Sequence, residues 1–376
     1  MGIYIHIPFC KRKCSYCNFY SIYVNEVIIL SYFKALWREI SALPKTDCIF
    51  DSIFIGGGTP SFVSSILITD TIKNIYNKFN ISDSAEITIE MNPDSFNKEK
   101  LDIYRGGGIN RFSIGVQSFF DEELMQIGRI HNVKDVLSAL KVLKEEEVNY
   151  SIDLMFGLPY QTLEKWTENL KRAISFEPYH ISSYLLSLER GTELALRKNE
   201  LELPDENLQQ QMYFFMIEFL GKHGYEQYEI SNFAKSGKES IHNMKYWQRK
   251  TYIGFGASAH SFQNETRWNN VYSIQKYIDC INEKGNAREN VSNINLKTKI
   301  DETIFLSLRT KTGLNLNQLN DICEKNILQF IYPFIKSLID EDLLILNKDI
   351  IYFTKKGFFL SDQIIGEISM KIDNNK

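Results

Sequence analysis

The chain has no basic surplus: 43 lysines and arginines stand against 47 aspartates and glutamates, a formal net charge of −4 over 376 residues. General nucleic-acid binders show a basic excess, so that class is excluded and no nucleic-acid partner is expected. No run of about 18 apolar residues occurs either. The best stretch, VNEVIILSYFKALW, is broken by Glu26 and Lys34, so no transmembrane segment is predicted. Met1 leads almost at once into a strand-like stretch without a signal peptide, which predicts a cytoplasmic protein. Low-complexity linkers and internal repeats are also missing. With 44% apolar and 24% charged residues the composition is that of a globular protein, long enough for one large domain and a smaller one.

Cysteine is scarce, six in all, yet three of them crowd into CKRKCSYC as Cys10, Cys14 and Cys17. In a reducing compartment clustered thiols read as metal ligands, and a disulfide would leave one thiol over. Structural zinc needs a fourth ligand, normally from a second pair, and none lies nearby. A [4Fe–4S] cluster held by three thiolates leaves one iron open to a substrate or cofactor, and C-x3-C-x2-C predicts such a centre. Cys48, Cys280 and Cys323 are scattered and read as ordinary buried thiols.

Strand candidates at 3–7, 51–56, 86–91, 111–117, 150–156 and 180–188 alternate with helical patterns such as 26–43, 64–79, 133–147, 161–176 and 206–223. Six βα units imply an α/β fold with a parallel sheet, open or curled into a partial barrel. The expected division is 1–235 for that barrel, 236–296 for a connecting aromatic segment holding HNMKYW, and 297–376 for a smaller winged-helix-like domain of helices and a hairpin. This tail is not strongly basic, and packing is its expected role.

Ligands of parallel α/β folds sit at the carboxyl ends of the strands. Here the first strand runs into the cysteine loop and the second into GGGTP (56–60). The third ends in Glu90, the fourth in Gln117, and the fifth carries Asp153 just before GLP. The glycines of GGGTP allow close approach of a ligand and can turn N–H groups toward an anion. A plain tight turn is the alternative, and neither a Walker motif nor a dinucleotide fingerprint is present. Glu90 and Gln117 could each be solvent-facing strand ends. Arg129, in GRIHN, reads either as a carboxylate-binding residue or as a solvated surface arginine. RGGGINR (105–111) reads as a helix-to-strand turn.

The cysteine loop, GGGTP and the polar rim together resemble the radical S-adenosylmethionine (SAM) superfamily. More narrowly, YIHIPFCKRKCSYCNF, FIGGGTPS, ITIEMNPDS, GINRFSIGVQSF, GRIHN, DLMFGLPYQT and HNMKYW resemble the oxygen-independent coproporphyrinogen oxidase group, over residues 3 to about 360. That resemblance implies a partial (β/α)6 TIM-like barrel of the radical SAM type. It implies that Cys10, Cys14 and Cys17 ligate the cluster and that SAM chelates the fourth iron. Tyr4 and Tyr16 would line the cofactor, and Gly57, Gly58 and Thr59 would receive the methionine amino group. Glu90, Gln117, Arg129 and Asp153 would contact the ribose and the methionine carboxylate. An electron from a low-potential donor would then cleave SAM to methionine and a 5′-deoxyadenosyl radical.

Two features depart from the oxidases of that group. They carry another cysteine two residues after the third, where this chain has Phe19, and an N-terminal extension, whereas here only nine residues precede Cys10. HNMKYW (242–247) resembles instead the signature of the group's heme-chaperone branch. It implies bound heme, with His242 as a candidate iron ligand and Tyr246 and Trp247 packed on the porphyrin. A hydrogen-bonded histidine beside two core aromatics is the plain alternative. The expected function is a radical SAM-type heme chaperone that passes heme to acceptor proteins. Coproporphyrinogen III oxidation and radical chemistry on heme are the alternatives, so whether the chain is an enzyme stays open.

Overall fold

The computed structural model describes residues 1–373. Two compact units divide the chain, one made of 1–212 with 251–292 and the other of 213–250 with the chain from 293 onward. The expected middle segment, 236–296, is thus shared between them. No described helix is long and apolar enough to cross a membrane.

In the first unit six strands lie side by side in chain order, all parallel: β1 (Gly2–Ile7), β2 (Ile49–Gly57), β3 (Asn80–Met91), β4 (Arg111–Gln117), β5 (Tyr150–Phe156) and β6 (His180–Leu185). The expected α/β fold with a parallel sheet is what the chain adopts. Helices cover the crossovers: α1 (Glu26–Ala42), α2 (Ser65–Lys78), α3 (Lys98–Gly106), α4 (Asp121–Gln126), α5 (Val133–Glu145) and α6 (Leu163–Ser175). Ile3, Ile5 and Ile7 on one face of β1 and His6 on the other are buried, as in a strand covered on both faces. Helix α6 has the matching helical pattern, burying Trp166, Asn169, Leu170 and Ala173, and Thr162 caps its start by accepting from the Lys165 amide. RGGGINR is the expected turn: α3 ends at Gly106, Gly108 takes φ +93°, and β4 begins at Arg111.

Several strands lie outside the sequence expectation. Tyr252–Phe255 pairs in parallel with β1 on the side away from β2, and His260–Gln263 and Thr266–Asn270 extend the sheet antiparallel. GFGASAHSF hid the first two because its glycines break the apolar run that marks a strand. Cys48 departs from expectation too: it is exposed, just before β2.

In the second unit helices Leu296–Leu308, Leu316–Cys323 and Ile327–Asp340 precede a hairpin of Leu344–Asn347 and Ile350–Phe353. The short strand Leu314–Asn315 pairs with the second arm of that hairpin. Two further helices, Lys355–Phe359 and Ser361–Asp373, follow where no helix was anticipated. Ile364, Ile365, Ile368 and Ile372 give the second of them its buried face.

Helix α1 ties the first unit together through two polar groups. Tyr32 donates its hydroxyl to the His6 carbonyl at 2.6 Å and accepts from the Ala257 amide at 3.2 Å. Glu39 accepts from the Tyr277 hydroxyl (2.6 Å), the Asn270 side-chain amide (2.6 Å) and the Gly256 amide (2.9 Å). Burial pushes the Glu39 carboxyl up to about 7, against the pull of these hydrogen bonds. A carboxyl raised on folding contributes its full stability below the unfolded value and loses it as pH rises through the folded one. Between pH 4.5 and 8 the wild type should therefore lose about 2–4 kcal/mol relative to Glu39→Gln, which keeps the shape but does not titrate. Urea unfolding of both proteins across that range checks this; parallel curves would contradict it.

Candidate functional site

The chain leaving β1 makes a loop closed on itself, with the Cys10 amide bonded to the Ile22 carbonyl (3.2 Å) and the Ile22 amide to that of Pro8 (2.9 Å). Phe9 is fully buried and meets the Tyr32 ring edge-on at 5.2 Å, which anchors the start of the loop. At the tip the Cys17 amide bonds the Cys14 carbonyl (3.2 Å), and the Ser15 amide bonds the carbonyl of Ile127 (3.2 Å). Tyr16 packs against a cluster that includes Ile127, Met155 and Leu194. The loop is held from several sides before any ligand arrives.

Cys10, Cys14 and Cys17 are unbridged and half-buried, and all three line a cavity of about 340 Å3. Tyr16 lines it as well, with Gly57, Gly58 and Thr59 from the end of β2. Glu90 of β3, Gln117 of β4, Asp153 of β5 and Arg129 complete the predicted set that the fold brings together. Two predicted residues lie elsewhere. Tyr4 is not among the lining residues: it sits back along β1, its hydroxyl 2.9 Å from His6 Nδ1 and its ring beside Phe54, while the cavity opens at the strand's end. His242 belongs to the second unit, in the helix Ile241–Trp247. Its buried ring meets Tyr246 edge-on, with Nε2 2.9 Å from the Tyr246 hydroxyl, the geometry of the plain hydrogen-bonded alternative.

In GGGTP, Gly57 N–H donates to the Glu90 carboxyl at Oε2 (3.1 Å), Gly58 N–H to the Ile7 carbonyl (2.9 Å) and Thr59 N–H to the Phe9 carbonyl (2.8 Å). Gly57 has φ +112°, and a Cβ there would lie 2.5 Å from the His6 ring. The motif is built to bring β2 against the cysteine loop.

The site is electrically polarised. Burial, reinforced by repulsion from Asp153, pushes the Glu90 carboxyl up to about 7. Burial also raises Asp153, although Ser113 donates to both of its oxygens (3.1 and 3.0 Å) and Ser151 to one (3.2 Å). Arg129, which lines the same cavity, donates through one terminal nitrogen to Asn92 Oδ1 (2.8 Å) and the Gly115 carbonyl (2.7 Å), and its other lies 3.5 Å from Cys14 Sγ. The Nε of Arg129 is buried with no hydrogen-bond partner. Burial raises the Cys10 and Cys17 thiols, a cost that binding a soft metal as thiolate offsets. Gln117 stands at a β-bulge with φ +66°, a left-handed backbone worth about 1 kcal/mol or more of strain.

Asn92, Ser113, Gly115, Met155 and Tyr184 also line the cavity and were not foreseen. A signal was present. In β4 the residues Arg111, Ser113, Gly115 and Gln117 alternate with apolar ones, and β5 does the same with Ser151 and Asp153. Period-two polarity inside an apolar strand marks a polar face.

These residues fit an iron–sulfur cluster with an amino-acid ligand. Among the described residues no three His, Cys, Asp or Glu side chains converge to hold a single metal ion. A cubane asks for no such convergence, since each thiolate takes its own iron. The unused Arg129 Nε is a buried donor for a carboxylate.

Comparison with known proteins agrees. Residues 4–173 match the radical SAM superfamily. Coproporphyrinogen III oxidase from Escherichia coli, described as a radical SAM enzyme, superposes with a TM-score of 0.83 at 23% identity, covering 100% of this chain and 90% of that one. At that identity the likeness speaks to fold. Fold and site together are those of a radical SAM protein. Heme chaperone HemW of Bacillus subtilis is 36% identical over 373 residues, 96% of this chain and 97% of its own length. HemW of Lactococcus lactis is 31% identical over 364 residues, 96% and 95% of the two chains. A mitochondrial radical S-adenosyl methionine domain-containing protein 1 of Danio rerio is 30% identical over 389 residues, 99% and 87%. The chain belongs to the HemW family.

The Gly57 geometry predicts its own test. Gly57→Ala should destabilise the protein by about 1–3 kcal/mol, from the left-handed backbone and the clash with His6. Gly106→Ala, where nothing lies within 4 Å of the added methyl, should change stability little. Equal unfolding midpoints for the two variants would contradict this account.

Proposed function

We propose that this chain is a cytoplasmic heme chaperone that carries a [4Fe–4S] cluster, binds SAM and hands heme to acceptor proteins. The observation that carries the cofactor part is the meeting of three unbridged thiols and a buried arginine with an unused donor in one cavity. The heme part rests on family membership and on HNMKYW, since the HemW relatives are named heme chaperones.

Cys10, Cys14 and Cys17 would hold the cluster, which when reduced supplies an electron to bound SAM. Arg129 would take the methionine carboxylate through Nε. Glu90 and Asp153 would accept hydrogen bonds from ribose hydroxyls, and Tyr16 and Gln117 would close the walls around them. Phe19 lines the cavity at 64% exposure, an apolar ring where the resembling oxidases carry a thiol. That favours transfer of heme over coproporphyrinogen oxidation. A low-potential electron donor is the further partner this reading requires. His242 would meet heme iron on exchanging its contact with Tyr246, leaving Tyr246 and Trp247 to pack on the ring.

Anaerobically reconstituted protein should take up heme in a stoichiometric ratio, read from the Soret band, and His242→Ala should lower that uptake several-fold. Binding no better than to a nonspecific control protein removes the chaperone reading; protoporphyrinogen formed from coproporphyrinogen III with SAM and reductant would replace it. Cys14→Ala should lose the brown absorbance along with iron and acid-labile sulfide, whereas Cys280→Ala should retain both. Zinc in place of iron in the wild type would end the cluster assignment.

A further inference from the structure

We propose that Asn92 and Thr59 are positioning residues that aim a proton at the Cys10 sulfur and thereby raise the reduction potential of the cluster the three cysteines would hold. The proposal rests on the cluster reading above and adds to it a path of hydrogen bonds. Arginine can only donate. The Arg129 terminal nitrogen lies 2.8 Å from the Asn92 side chain, so the amide oxygen must face the arginine and its nitrogen must face away. That nitrogen lies 3.3 Å from Thr59 Oγ1, and it too can only donate. The threonine hydroxyl therefore accepts from Asn92, and its single proton is left for Cys10 Sγ, 3.3 Å away. A metal-bound thiolate has no proton to give, so the direction deduced from Arg129 is also the one the bound sulfur needs.

The other terminal nitrogen of Arg129 lies 3.5 Å from Cys14 Sγ. One guanidinium thus acts on two of the three sulfurs, on Cys14 directly and on Cys10 through two intervening side chains. The path is held in place at several points. Ser61 Oγ accepts from the Asn92 backbone amide at 3.0 Å, and the Thr59 amide is bonded to Phe9 at 2.8 Å. Gly115 leaves the room: a Cβ there would lie 3.2 Å from Arg129 and 3.4 Å from Asn92 Oδ1. Donors polarised in sequence strengthen one another, so the hydroxyl reaching Cys10 is a better donor than an isolated threonine.

Hydrogen bonds to ligand sulfurs and nearby positive charge stabilise the electron a cluster gains, and both raise its potential. Thr59→Val removes the hydroxyl and keeps the shape. Asn92→Asp substitutes an acceptor-only side chain, which draws the threonine proton away from sulfur and adds negative charge. In an anaerobic redox titration of the full chain, followed by electron paramagnetic resonance, both variants should shift the one-electron reduction equilibrium toward the oxidised cluster by about threefold to tenfold, the upper figure being about 59 mV. Thr59→Ser, which keeps the hydroxyl, should restore the wild-type value. Variants with wild-type iron and sulfide content and an unchanged potential would overturn the proposal. Should Thr59→Val fail to hold iron, Asn92→Asp decides by the same criterion. A wild type without iron and sulfide is a different failure, that of the cluster reading itself.

Discussion

Two backbone hydrogen bonds clamp the cysteine loop to the end of β2, from the Gly58 amide to Ile7 (2.9 Å) and from the Thr59 amide to Phe9 (2.8 Å). The site depends on them. A long loop offering three thiols to one metal centre loses conformational entropy when it orders, and every contact made beforehand lowers that cost at binding. Here the sheet orders it. A side chain at Gly58 would place Cβ 2.8 Å from the Phe9 carbonyl and 2.9 Å from that of Ile7, so only glycine lets the two segments meet. The same clamp sets Thr59 beside Cys10 and brings Gly57 under Glu90.

Behind the loop the sheet carries a polar inner face, which needs its own partners. Arg111 and Glu86, both buried, stand 3.8 Å apart, and Ser151 lies 2.8 Å from His180 Nδ1 while also donating to Asp153. Groups buried in this way cost free energy unless each finds a hydrogen bond, so the network is rigid by necessity. The register keeps it together: Glu90 pairs with Ser113, and Asp153 with Ser182. Outside, the same strands present Ile, Phe and Leu to the amphipathic helices. Core packing and site geometry thus come from alternate residues of the same strands.

That alternation explains what could be read from the sequence and what could not. Strands β1 to β6 were legible because their apolar residues are dense, and α6 because Trp166, Leu170 and Ala173 repeat at helical spacing. The strand Tyr252–Phe255 was not, since Gly254 and Gly256 serve close approaches that no hydropathy pattern encodes. At the site, the cysteines, Glu90 and Asp153 announced themselves as polar groups at strand ends. Asn92 did not, because an asparagine before proline reads as a turn residue and its bond to Arg129 joins side chains 37 positions apart. The acceptors of the GGGTP amides were not legible for a similar reason. Spacing shows that a backbone must approach something closely, and only the fold shows that the something is β1.

The charges around the cavity favour a ligand with two unlike ends. Glu90 and Asp153 repel each other in a buried setting that already disfavours their ionised forms. In the same cavity Arg129 keeps a buried N–H without an acceptor. The acids already accept from Gly57, Ser113 and Ser151 and can take further hydroxyl donors, whereas the spare N–H of Arg129 calls for a carboxylate. Under the proposed function, a ligand carrying both ends serves the acids and the arginine at once. A fragment with only the sugar end leaves the buried Arg129 Nε unpaired. Sites whose polar groups are left unpaired by the wrong ligand discriminate more strongly than apolar pockets do. The buried Arg129 donor therefore favours a ligand that carries a carboxylate over a sugar fragment that lacks one.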